Sequence, residues 1–140
     1  MTTSGAEPGR LVLDTSAYAR LRVGDGRVLD RLADADVVLM PSVVLGELEG
    51  GFRLGRRPDA NRAVLAEFLD EPFVAVAPVT ADVALRYGEI FARLRRAGTP
   101  IPTNDVWIAA TTLDRGAHLL TFDRDFEHVE RLPCTVLATR

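Results

Sequence analysis

The chain has 140 residues, with 17 basic residues, 20 carboxylates and a formal net charge of −3. That length suits one domain around one core, and 47% apolar with 26% charged residues is the composition of an ordinary globular protein, not of a disordered chain. Every basic residue other than the two histidines is arginine; the absence of lysine excludes the phosphate-cradling P-loop and any mechanism that needs a lysine.

No apolar run nears the roughly 20 residues of a membrane span. Residues 1–9 have neither a basic start nor an apolar centre, so they do not read as a signal peptide. They are expected to form a flexible tail, with 10–140 as a single domain. The single cysteine, Cys134, has no partner for an internal disulfide and is expected in a buried strand, in a cytoplasmic protein.

Leu11-Val12-Leu13 is too short for a helix and reads as a buried strand that delivers Asp14 to its carboxyl end. Thr15 and Ser16 are expected to cap a short helix to Leu21. After the Gly24-Asp25-Gly26 turn, Arg27 to Ala35 carries Val28, Leu29, Leu32 and Ala33 at helical spacing. Val37 to Met40 is a second strand, stopped by Pro41, and Ser42 is expected to cap a helix weakened at Gly50-Gly51. Helix Asn61–Leu69, strand Phe73–Val76 and a long helix from Thr80 to about Ala97 follow, the last with a clear 3.6-residue apolar period. Thr103 is expected to cap a helix over 104–113. Leu119-Leu120-Thr121 and Thr135-Val136-Leu137 are the fourth and fifth strands. Short strands, apolar on both faces and alternating with helices, predict an α/β fold with a parallel sheet.

In such sheets ligands bind outside the carboxyl ends of the strands. Asp14 and Asp123 fall at strand ends there. Glu47 and Asp105 fall in helices that begin on the same edge. Each acid alone has a structural explanation: a cap, a turn, a helix-dipole partner or a solvated face. Together they converge on one crevice, where their mutual repulsion calls for a cation. All-oxygen donors without Cys or His point to Mg²⁺ or Mn²⁺. His118 and His128 are not at metal-binding spacing and read as structural or surface residues. Carboxylate-held metals of this kind suit phosphodiester hydrolysis by metal-activated water.

Four stretches carry a family resemblance: Leu11-Val12-Leu13-Asp14-Thr15-Ser16, Pro41-Ser42-Val43-Val44-Leu45-Gly46-Glu47-Leu48, Asn104-Asp105-Val106-Trp107-Ile108-Ala109-Ala110-Thr111 and Leu120-Thr121-Phe122-Asp123-Arg124-Asp125-Phe126. In this order they resemble the PIN-domain ribonucleases, and within them the VapC-type toxins of bacterial VapBC toxin–antitoxin pairs. The resemblance implies a three-layer α/β/α sandwich with a five-stranded parallel sheet. It implies Mg²⁺- or Mn²⁺-dependent RNA cleavage by Asp14, Glu47, Asp105 and Asp123. Asp14 and Asp105 match the most direct metal ligands, Glu47 and Asp123 complete the pocket directly or through water, and Ser16 matches a small polar neighbour. Asp125 matches a variable position. The resemblance further implies a small VapB-like antitoxin, laid near the Glu47 helix, and a homodimer.

RNA must also be held. Arg53, Arg56, Arg57 and Arg62 follow the Glu47 helix, and Arg86, Arg93, Arg95 and Arg96 lie on or after the long helix; either group could track phosphates or be solvated surface. Three rival classes lack a needed residue. A haloacid-dehalogenase-type phosphotransferase wants an acid where Ser16 stands, a receiver domain wants a lysine, and a metal-dependent adhesion module wants a serine where Tyr18 stands. A PIN-like domain that binds RNA or a partner without cutting is the remaining alternative.

Overall fold

The structure is a computed structural model that describes residues 9–139. In chain order its elements are β1 (Arg10–Leu13), α1 (Thr15–Arg22), α2 (Gly26–Asp34), β2 (Val37–Pro41), α3 (Ser42–Leu54), α4 (Pro58–Leu69), β3 (Val74–Ala77), α5 (Ala81–Ala97), α6 (Thr103–Asp114), β4 (His118–Thr121), a 3₁₀ turn at Arg124–His128, and β5 (Cys134–Val136). The five strands are all parallel, in the order β3-β2-β1-β4-β5, and helices cover the sheet in a three-layer α/β/α sandwich.

That order explains the apolar runs. β1 and β4 lie side by side in the middle, with Val12 opposite Leu119 and Leu13 opposite Leu120. All four side chains are fully buried, as a central parallel strand requires. β3 is an edge strand, and its Val76 is exposed. Met40, Val44, Ile108 and Phe126 fill the space between sheet and helices. Tyr18 of α1 meets Phe68 of α4 at 5.7 Å, and Tyr87 of α5 stacks on Trp107 of α6 at 4.0 Å. Cys134 is buried in β5, as expected. Among the described residues no helix is long and apolar enough to cross a membrane.

Several helix starts differ from the sequence reading. α1 is capped by the Asp14 carboxylate, which accepts from the Ala17 N–H, and not by Thr15 or Ser16. α3 and α6 begin after Pro41 and Pro102 with no side-chain cap, so Ser42 and Thr103 are first-turn residues. Thr80 does cap α5, accepting from Val83 N–H at 3.2 Å. At the far end Gly98 takes a left-handed φ of 74°, and Thr99 N–H returns to the Leu94 carbonyl. α3 runs straight through Gly50-Gly51 to Leu54, with Phe52 packed on the core. Its Val44 and Leu48 are core residues.

Of the expected tail, residues 1–8 lie outside the described residues. Gly9 is fixed: its carbonyl accepts from Asp36 N–H at 2.8 Å and Val37 N–H at 3.0 Å. Its φ is 86°, and a Cβ there would collide with the Asp36 carboxylate.

Candidate active site

The site forms where β1 and β4 end together. Leu13 pairs with Leu120, so Asp14 and Thr121 emerge side by side although 107 residues separate them. Asp14 is 4% exposed, and its oxygens are fully engaged. Oδ1 accepts from Ser16 Oγ at 2.7 Å and Ala17 N–H at 2.8 Å; Oδ2 accepts from the Thr121 hydroxyl at 2.5 Å. Burial pushes the Asp14 carboxyl above its ordinary range, against the pull of these bonds, and the charge of Asp123 adds to the rise.

The same Thr121 hydroxyl accepts from Asp123 N–H at 2.9 Å. One oxygen therefore sets both the Asp14 carboxylate and the backbone that carries Asp123. Ser16 repeats the pattern on the other side, accepting from Phe122 N–H at 3.0 Å while donating to Asp14. The 3₁₀ turn then folds the chain back, with Asp125 N–H donating to Asp123 Oδ1 at 2.9 Å.

Asp105 faces these residues from the first turn of α6. Carboxylate oxygens of Asp105, Asp123 and Asp125 all lie within 4.8 Å of one another. The Asp105 carboxyl is pushed up to about 7, first by burial and then by the charges of Asp123, Asp14, Glu47 and Asp125. All five acids thus share one field. Glu47, on α3, is held at the rim. Thr15 Oγ1 donates to its Oε1 at 2.8 Å, and Asn104 Nδ2 donates to its Oε2 at 3.4 Å.

The fold therefore gathers Asp14, Glu47, Asp105 and Asp123 in one place, with Ser16 among them. It also brings in Asp125, whose register the sequence left open. Asp14 and Glu47 stand outside the tight three-acid group, each tied up by hydroxyl or amide donors. Sequence reasoning missed two of those donors, Thr121 and Asn104; Thr15, expected as a helix cap and site neighbour, holds Glu47 instead of capping α1. Nothing in the sequence distinguishes a hydroxyl that bridges two strands from one that merely ends a strand.

The arginines sort differently from the expectation. Arg53 and Arg62 both bind Glu49 at 2.7 Å, and Arg62 also reaches Asp59 at 2.9 Å. This clamps α4 onto α3 and holds the Glu49 carboxyl at about 2, chiefly through Arg62. Arg93 pairs with Glu130 at 3.2 Å and Arg86 with Asp114 at 3.4 Å. Arg56 and Arg57, in the loop after α3, and Arg96, in the last turn of α5, are exposed. His118 Nε2 meets Thr135 Oγ1 at 2.8 Å across β4 and β5, a structural role as expected.

Residues 11–132 match the PIN domain family model. Ribonuclease VapC5 of Mycobacterium tuberculosis is 31% identical over 119 residues, 85% of this chain and 87% of that one. Among solved structures, VapBC2 from Rickettsia felis, bound to a DNA fragment from its promoter, superposes with a TM-score of 0.79. The two are 26% identical, over 91% of this chain and 98% of that one. The VapBC-5 toxin–antitoxin structure from Mycobacterium tuberculosis gives a TM-score of 0.72 at 27% identity, over 94% of this chain and all of that one. These matches span the strands and helices that assemble the acids, and the chain belongs to the PIN domain family, in its VapC branch.

Proposed function

We propose that the protein is a metal-dependent ribonuclease that hydrolyses RNA phosphodiester bonds, with Asp14, Glu47, Asp105 and Asp123 as its acids. The observation that carries this reading is the carboxylate cluster, in which burial, and then the charges of the other acids, push the Asp105 carboxyl up to about 7. The donor set is all oxygen and the repulsion is large, which fits a hard divalent cation such as Mg²⁺ or Mn²⁺. Asp105, Asp123 and Asp125 would hold it, with Asp14 behind them and Glu47 at the rim. When bound, such an ion activates water and stabilises charge on the phosphodiester. The chain's own groups do the rest. Thr121 and Ser16 fix the Asp14 carboxylate, and Thr15 and Asn104 fix Glu47.

Support for RNA as substrate comes from relatives named ribonucleases. Support for a VapB-like antitoxin comes from related structures that are VapBC complexes. The reading takes residues 10–140 as one nuclease domain acting in the cytoplasm, as a homodimer, on a chosen RNA, until the antitoxin blocks it. Arg56, Arg57 and Arg96 are its free-standing candidates for backbone contacts, ahead of the ion-paired Arg53 and Arg93.

The test is cleavage of labelled RNA with Mg²⁺ or Mn²⁺ by the wild type, Asp14→Ala and Asp105→Ala. Cutting by the wild type and loss in both variants is expected. No cutting by the wild type, or undiminished cutting by the variants, overturns the reading in favour of a binding domain.

A further inference from the structure

One cavity beside the acids is used by nothing described so far. Its volume is about 380 Å³, and Phe122, Arg124, Glu127, Val136, Leu137 and Ala138 line it. Phe122 and Arg124 are the chain neighbours of Asp123, whose carboxylate belongs to the three-acid group. The cavity wall and the acid cluster therefore share the segment Phe122-Asp123-Arg124.

Its walls differ in chemistry. Val136 and Leu137 supply an aliphatic side. The Phe122 ring carries two guanidinium groups, Arg20 at 5.1 Å and Arg27 at 5.3 Å from its centroid. Arg27 is locked in place. Its Nε and one terminal nitrogen donate to the Asp25 carboxylate, and the other donates to the Ala138 carbonyl at 2.9 Å. Leu137 N–H bonds the Thr121 carbonyl at 2.8 Å, so the β5 end that forms one wall is tied to the strand that bears the site. Arg124 projects outward, 85% exposed, with Glu127 at 3.1 Å.

We propose that this cavity is a nucleobase subsite, which receives a base of single-stranded RNA next to the phosphate at the acids. The proposal rests on the reading of those acids as an RNA-cleaving centre. A base has apolar faces and polar edges. The faces suit Val136, Leu137 and Phe122, since bases pack on apolar and aromatic side chains. The edges meet Glu127, which only accepts hydrogen bonds, and Arg124, which only donates. Arg124 can also hold the adjoining phosphate. Arg20 and Arg27 lie over the Phe122 ring and Arg124 lines the same cavity, and that charge favours a nucleotide over a polypeptide segment. Because the cavity offers one donor and one acceptor side chain, the subsite distinguishes bases and gives the enzyme a preference at one position beside the cut.

A pool of short random-sequence RNAs carrying 4-thiouridine, photocrosslinked to the full chain in EDTA, tests this without cleavage. Crosslinks are expected in 122–127 and 136–139. Ala138→Trp, which fills the cavity from an exposed position, should lower their yield at least five-fold; Arg124→Ala, a change on the surface, should lower it about three-fold. In parallel cleavage of the unmodified pool, both variants should flatten the base preference at one position only. Crosslinks elsewhere, unchanged yields in both variants, or a cavity that is protected by an antitoxin peptide but not by RNA would overturn the subsite. RNA that crosslinks in the cavity yet is never cut refutes the hydrolytic function and leaves the subsite standing. Cutting by Ala138→Trp with the wild-type base preference refutes the subsite and leaves hydrolysis standing.

Discussion

Replacing Asp105 by Asn should make the metal-free protein more stable, although it removes a site residue. The Asp105 carboxyl sits at about 7 in the folded chain, against an ordinary 3.8, through burial and the surrounding acids. A raised carboxyl means that the folded state binds the proton more tightly than the unfolded state. Stability is then highest below about pH 4, falls as pH rises, and levels off above about pH 7. Roughly three pH units at about 1.4 kcal/mol each would give about 4 kcal/mol. Asp105 is only half-buried, so solvent screening cuts this to about 1–2 kcal/mol. For a chain of this size that is about 3–6 °C in Tm. Denaturation in EDTA at pH 4 and pH 8 measures it. The two proteins should coincide at pH 4, and Asp105→Asn should be the more stable at pH 8. A variant no more stable at pH 8, or a gap that does not open with pH, would show that these carboxylates are not repelling one another.

Three further outcomes follow from the same geometry. Mn²⁺ at about a hundred times its Kd should stabilise the wild type by about 2.7 kcal/mol and Asp105→Asn far less, read as Tm against metal concentration; equal shifts would place the metal elsewhere. Thr121→Val keeps the shape but strips Asp14 and the Asp123 N–H of their shared partner. It should cost about 1–3 kcal/mol in urea unfolding and move the onset of cleavage to higher pH, since Asp14 loses a bond that favours its charged form. Reversing Arg56 and Arg57 to Glu should weaken RNA binding and reduce its salt slope by about 1–2; Arg53→Glu should do less, because Glu49 already neutralises Arg53.

The fold was legible because burial on both faces leaves an unmistakable trace. Leu11-Val12-Leu13 and Leu119-Leu120 are apolar without alternation, and only a central parallel strand buries both faces of so short a run. Asp14 and Asp123 were legible by position, each just beyond the end of such a strand, and Glu47 and Asp105 by their places near the starts of α3 and α6. Their division of labour was not. Asp125 joins the cluster only because Arg124–His128 forms a 3₁₀ turn, and Asp123-Arg124-Asp125 reads equally well as a surface turn. The caps at Ser42 and Thr103 failed for another reason. Proline precedes each, sets the extended backbone at the helix start, and does so without a side-chain bond. The Arg53–Glu49 pair was legible, at helical i,i+4 spacing within α3; Arg62 and Arg93 were not, because Glu49 and Glu130 reach them from other elements.

The pairing of β1 with β4 has a consequence for the order in which the protein comes alive. Asp14 is made near the beginning of synthesis, but the hydroxyl that orients it arrives 107 residues later. Closing so long a loop is entropically expensive, and parallel pairing across it is slow. A ribosome-bound chain therefore carries Asp14 and Glu47 with no Asp123 to complete them. Fragments that stop before His118 cannot assemble the acid cluster at all, so a cell reading this message holds an inert polypeptide until the final strands have left the exit tunnel.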